Sequence, residues 1–196
     1  MDTTNKREKQ RLERRDQILA CSLDMIVSRG FEAMKIRDIA GRLKISTGLF
    51  FNYFSSKEQV YEELVGIALS GPASVLALNA EGMAPITLFE KMTEYIFEAL
   101  KSDPFTGKMF LLMAQAVRSE TLPEGVKSLL QGFDSVTPLL GTIGKGQALG
   151  QIKAGDPVAL IMAYWGAVQG IAQGYALNEG LPLPQSSWIV DILRAR

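Results

Sequence analysis

Residues 36–57, IRDIAGRLKISTGLFFNYFSSK, constrain the fold more than any other stretch of the chain. Ile36, Ile39, Ala40 and Leu43 recur at helical spacing and define one apolar face of a short helix over residues 37–43. Ala40 is small enough for a second helix to cross closely. A three-residue turn follows, plugged by Ile45. A second short helix is expected over residues 47–54, with Ser46 as its N-cap and Phe50, Tyr53 and Phe54 closing a core. Ser56 and Gln59 then have the S-x-x-Q spacing of a capping box, which starts a further helix.

The rest of the chain reads the same way. Apolar residues recur at three and four, strand signals are almost absent, and Pro or Gly mark the breaks. The expectation is an all-α protein of about nine helices. Residues 5–29 form the first helix and Gly30 caps it. The capped helix runs over 57–79, with a possible kink at Gly71-Pro72. Helices follow over 86–102, 104–119, 121–149 with breaks, 157–178 and 187–194. Asp103-Pro104 and Asp156-Pro157 are cap-then-proline starts. Two regions are expected: a head, 1–56, and a body, 57–196, connected by the helix over 57–79.

Net charge is zero over the 196 residues, but its distribution is uneven. Residues 1–57 carry twelve Lys/Arg against seven Asp/Glu, a net of +5, and the remainder carries the opposite excess. A basic head on an acidic body suits a local anionic partner. There is no histidine and one cysteine. That removes the commonest general base, any intrachain disulfide and most zinc sites. Cys21 lies in an apolar helical pattern and is expected as a buried thiol. No stretch is apolar for about 18 residues, so no membrane span is expected. The amino terminus lacks the apolar run of a signal peptide. A cytoplasmic protein with no cofactor and no metal is expected. Glu94 and Glu98 read as one solvated helix face, and nothing identifies a catalytic constellation, so an enzyme is not expected.

Two short helices around a tight turn have the layout of a helix-turn-helix, whose second helix lies in the DNA major groove. The exposed set on that helix is Ser46, Thr47, Gly48, Leu49, Phe51 and Asn52. Gly48 costs roughly 1 kcal/mol of helix propensity against alanine, and its benefit is close approach of backbone to DNA. Asn52 suits adenine or a phosphate, and Leu49 or Phe51 suits a thymine methyl. Lys57 opposes the macrodipole of the helix it opens, unless a phosphate sits there with it. Lys35 and Arg37 are placed to grip a second phosphate. Lys6, Arg7, Lys9, Arg11, Arg14 and Arg15 form a basic arm that could reach more backbone.

These residues carry a resemblance. The segment resembles the DNA-binding domain of the TetR family of bacterial transcriptional regulators, through Ile39, Ala40, Ile45, Ser46, Gly48, Tyr53, Phe54, Ser56, Lys57 and Glu58, and upstream through Arg15, Ile18, Leu19, Ala20, Gly30 and Phe31. The likeness covers about residues 12–65. Three positions depart from the family pattern. Lys44 stands where glycine is common, which costs roughly 1–2 kcal/mol if the backbone there is left-handed. Phe51 replaces a frequent tyrosine, and Thr47 a frequent lysine. The resemblance implies a homodimeric repressor that binds a double-stranded, palindromic DNA operator and responds to a small effector.

The body must be read from its residues. Phe89, Met92, Ile96, Phe110 and Met113 lie on inner helical faces, and four methionines (Met92, Met109, Met113, Met162) suit an adaptable apolar pocket. Tyr95, Trp165 and Gln169 are candidate polar anchors for a ligand. Gly166, Gly170 and Gly174 recur every four residues, a small-residue stripe that implies close packing against another helix. With Trp188, Ile189 and Ile192 of the last helix they form the candidate dimer interface. The competing reading is a helical carrier or adaptor of apolar ligands that uses its basic head on a membrane or partner.

Overall fold

The computed structural model describes residues 3–76 and 82–195, and among these the regular structure is helical, with one isolated antiparallel bridge, Ile152 to Arg194. Ten helices follow in order: α1 (Thr3–Arg29), α2 (Ile36–Leu43), α3 (Thr47–Phe51), α4 (Lys57–Leu76), α5 (Pro85–Ser102), α6 (Pro104–Arg118), α7 (Glu124–Gln131), α8 (Thr137–Ala148), α9 (Pro157–Leu177) and α10 (Ser186–Val190).

Several expected boundaries move. The span expected as one broken helix over 121–149 is two helices, α7 and α8. They are separated where Asp134 Oδ1 accepts from the Val136 and Thr137 amides. α3 ends at Phe51, and Asn52 and Tyr53 form the turn after it. The end of α10 moves from residue 194 to Val190. α4 continues through Gly71-Pro72 to Leu76, and the remainder of the expected helix, with the loop start at Glu81, lies outside the described residues.

The chain divides into two compact units. The first combines Met1–Ala68 with Leu111–Gln131. Its core is a run of fully buried side chains: Ile18, Leu23 and Ile26 from α1, Ile39 from α2, Phe50 and Phe54 around α3, and Val60 and Leu64 from α4. Gln115 of α6 donates to the Val27 carbonyl at 3.0 Å. A Cβ on Gly125 of α7 would fall 2.2 Å from the Glu62 carboxylate, so a side chain there would displace Glu62.

The second unit combines Leu69–Phe110 with Gly132–Arg196. α5, α8, α9 and α10 surround a core of Phe89, Met92, Ile143, Ile161, Tyr164, Val168, Val190 and Leu193. The inward residues of α9 (Ile161, Tyr164, Trp165, Val168, Ala172) fall at three- and four-residue steps, as a single buried helical face requires. Asp156 caps α9, accepting from the Ala159 amide at 2.9 Å, with Pro157 in the first turn. Thr93 Oγ1 and the Tyr164 hydroxyl meet at 2.9 Å inside this core, so each buried hydroxyl has a partner. Burial pushes the Tyr164 hydroxyl up to about 12, while the Thr93 hydrogen bond pulls it the other way.

Candidate nucleic-acid interface

The geometry of the head is set by two caps. At the end of α2 the Ile45 amide donates to the Ala40 carbonyl at 2.9 Å and the Lys44 amide to the Gly41 carbonyl at 3.3 Å. This is a Schellman ending, and it places Lys44 in the left-handed region at φ 53°, ψ 44°. A lysine therefore occupies the backbone conformation that glycine adopts without strain. Two residues later Ser46 Oγ accepts from the Leu49 amide at 3.0 Å and starts α3. The turn between α2 and α3 is thus fixed at both ends, and Phe50, fully buried, anchors α3 from below.

What remains outward is the expected set. Ser46, Thr47, Gly48, Phe51 and Asn52 are exposed and Leu49 is half-buried. Phe51 is 53% exposed and holds its ring edge-on to Phe50, at 5.6 Å between centroids, so it is the large apolar group on this face. A Cβ on Gly48 would meet only Ser46 Oγ, at 3.8 Å. Nothing within the chain therefore requires glycine there, and the outward space above it is open. Lys35 and Arg37 are exposed at the start of α2, Arg37 lying 3.7 Å from Asp38.

Lys57 is arranged differently from the expectation. Its ammonium does not project freely but donates to the Phe31 carbonyl at 3.3 Å and lies 4.3 Å from the centre of the Phe31 ring. Phe31 in turn stacks on Tyr61 at 4.6 Å. Lys57 thereby pins the start of α4 to the loop after α1, and it offers a phosphate only the part of its ammonium that these contacts leave. The cap of α4 also differs from a reciprocal box. Ser56 Oγ accepts from the Gln59 amide at 3.2 Å, but the Gln59 side chain reaches back one residue further, to the Ser55 amide and hydroxyl.

The arm is not one surface. Arg15 pairs with Glu63 in a two-pronged contact and lies over the Phe54 ring, so it belongs to the packing of α1 on α4. Arg7, Arg11 and Arg14 instead line a groove with Tyr53, which is expected in the core from its spacing and is only half-buried.

The candidate effector residues separate into two groups. Phe89, Met92, Ile96 and Trp165 are buried together, and Phe110 packs against them. The Trp165 indole donates to the Ser135 carbonyl at 3.2 Å. Tyr95, at 51% exposed, and Gln169 face outward, and Met113 falls in the first unit. Tyr95 and Gln169 lie at the edges of buried helical faces, beside Ile96 and Val168, and the packing of the neighbouring helices leaves both outside. The polar groups that do reach the inner face, Thr93 and Tyr164, were not among the candidates.

The small-residue stripe of α9 also lies outward. Gly166 and Gly170 are exposed and Gly174 is half-buried; a Cβ on any of the three would meet no described atom within 4 Å. Val158, Met162 and Leu177 share that side of α9 and are exposed. Trp188 is 61% exposed, but Ile189 is buried in the body core and Ile192 packs against it, so these two do not extend the exposed face as expected.

Residues 18–64 match the family model for bacterial regulatory proteins of the tetR family, a span that contains α2, α3 and the turn between them. The chain is 40% identical over 52 residues to the HTH-type transcriptional repressor KstR2 of Mycolicibacterium smegmatis, covering 26% of this chain and 25% of the relative. The match thus spans about a quarter of that protein. It is 25% identical over 173 residues to the HTH-type transcriptional regulator RutR of Escherichia coli O157:H7, covering 87% and 79% of the two chains. In fold it is similar to the TetR family transcriptional regulator PfmR from Thermus thermophilus, with a TM-score of 0.71 at 19% identity over 91% of this chain and 97% of that one. It is similar also to the ketosteroid transcriptional regulator KstR2 of Mycobacterium tuberculosis, with a TM-score of 0.67 at 16% identity over 93% and 96%. A capped, outward-facing helix-turn-helix in the matched segment, residues 18–64, and an all-helical fold shared along the chain make this protein similar to the TetR family of bacterial transcriptional regulators, in its head by sequence and in the rest by fold.

Proposed function

We propose that the protein is a homodimeric repressor that binds a palindromic operator through α3 and leaves it when a small apolar molecule enters the body. The observation that carries the reading is the outward face of α3. Gly48 leaves its backbone open, Thr47 and Asn52 offer hydrogen bonds, and Phe51 offers an apolar contact, a combination suited to base edges and thymine methyls. Lys35 and Arg37 supply phosphate contacts beside it, and Lys57 supplies part of its ammonium.

Two features support the remaining parts. The exposed stripe of Gly166, Gly170 and Gly174 on α9, among exposed Val158, Met162 and Leu177, suits the same stripe of a second copy. A two-fold dimer would present two recognition helices to half-sites about 34–36 Å apart. The inner faces of α5 and α9 are apolar except for the Thr93–Tyr164 pair, so an effector taken up there would be apolar with at most one or two polar groups. Such an effector acts only through its different affinity for the two arrangements of the heads. The protein is expected in the cytoplasm, with the DNA; no helix among the described residues is long and apolar enough to cross a membrane.

The test is selection of a duplex from a randomised library by the full chain, followed by titration at several salt concentrations. The reading expects a palindromic site and affinity that falls with salt. Binding that ignores both salt and Gly48→Trp would sink it.

A further inference from the structure

A groove of about 660 Å³ lies on the amino-terminal half of α1, lined by Arg7, Gln10, Arg11, Glu13, Arg14, Gln17 and Tyr53. It is open and polar, unlike the apolar enclosures that take small ligands. Among the described residues no carboxylate pairs with Arg7, Arg11 or Arg14, whereas Arg15 is held by Glu63. Glu13, the one acidic residue of the groove, lies 4.0 Å from Lys9. Three guanidinium groups thus line one groove with no carboxylate partner among the described residues. Tyr53 follows Asn52 directly, its amide donating to the Phe50 carbonyl at 2.9 Å, so the groove continues from the end of the recognition helix.

We propose that Arg7, Arg11 and Arg14, with the Tyr53 hydroxyl, form a second track that holds DNA backbone phosphates flanking the half-site read by α3. The inference rests on the DNA-binding reading above. The reach suits the occupant: at 1.5 Å per residue Arg7 and Arg14 lie about 10 Å apart along α1, enough to meet more than one phosphate of a strand. Planar guanidinium forks and a phenolic hydroxyl are phosphate donors that carry no base preference. The track therefore adds affinity and fixes orientation, while sequence is read only by α3.

The experiment uses the full chain and the duplex it selects, made in two lengths: one ending at the outer edges of the half-sites, the other with about ten more base pairs on each side. Each phosphate contact contributes about 0.9 to the slope of log affinity against log salt. The wild type is expected to show a steeper slope on the long duplex, by about 2–3 per head, and R7Q/R11Q/R14Q to lose that difference while keeping its affinity for the short duplex and its base preference. Arg11→Gln alone should remove about a third of it, and serves if the triple variant loses helical structure by circular dichroism. The proposal is overturned if the variants keep the flank-dependent slope, or lose affinity equally on both lengths. It is also overturned if K101Q/K145Q/K153Q, which removes the same charge from the body, abolishes the difference. A wild type that selects no duplex overturns the DNA-binding reading itself, and this is seen before any variant is made.

Discussion

Gly48 in the head and the glycines of α9 in the body are outward in the same sense: a side chain would meet little or nothing of the chain itself. Their neighbours differ. Around Gly48 stand Ser46, Thr47 and Asn52, on a five-residue helix fixed by caps at both ends of its turn. Around Gly166 and Gly170 stand Met162, Val158 and Leu177, along a 21-residue helix whose other side is core. A glycine alone says only that something approaches closely. The polar neighbours of the first suit a hydrogen-bonding partner, and the apolar neighbours of the second suit an apolar one.

That contrast can be broken at its strongest point by Gly166→Glu with Gly170→Glu. If the stripe is buried between two copies, carboxylates there cost about 4 kcal/mol, roughly a thousandfold in dimer dissociation, while the folded monomer tolerates them because the positions are open. Sedimentation equilibrium reads the result, and unchanged association would remove α9 from the interface. Next is Gly48→Trp, expected to weaken operator binding by about a hundredfold, close to 3 kcal/mol, with thermal melting unaffected. Equal losses in melting and binding would mean that Gly48 serves the fold.

A smaller effect separates the interiors of the two units. The Tyr164 hydroxyl is raised from 10.0 to about 12, so its neutral form stabilises the fold fully below pH 10, and that contribution is lost as pH rises toward 12. The loss amounts to about 2–3 kcal/mol. Denaturant titrations between pH 9 and 12 should show it in the wild type and much less of it in Tyr164→Phe, in which Thr93 keeps its bond to the Phe89 carbonyl. The smallest effect is in the head. Lys44→Gly relieves a left-handed lysine and should stabilise the protein by about 1 kcal/mol, read from the midpoint of denaturant unfolding. A destabilised variant would mean that the lysine side chain contributes more than its backbone costs.

The head was the more legible region because its constraints are local. Ser46, Ile45, Phe50 and the spacing between them fix a turn within a dozen residues, and that turn orients α3 almost regardless of the rest. Even the strain at Lys44 could be stated as a condition from the sequence, and its φ of 53° meets the condition. Arg15 reads as part of an arm and Lys57 as a free cation because their partners are distant: Glu63 lies 48 positions from Arg15, and the carbonyl that accepts from Lys57 lies 26 positions before it. A charged side chain in a sequence looks free until the contacts that claim it are known.

In the body, periodicity showed which residues are apolar and roughly where helices break, but not the phase at which each helix faces its neighbours. Residue type suggests Tyr95 and Gln169 as ligand anchors and Ile189 at a dimer interface, whereas packing leaves the first two outside and the third inside. The pairing of α6 and α7 residues with the head, through Gln115 on Val27 and Gly125 against Glu62, joins segments far apart in the chain and had no sequence signal. The amino-acid sequence on its own therefore determined the all-helical class, the recognition unit and the likeness of the head to the TetR family, all of which rest on short-range spacing. The tertiary structure alone decided which arginines remain unpaired, which glycines face outward and which polar groups meet in the core. Those depend on helix phase and on contacts between distant segments, and neither is written in the local pattern of residues.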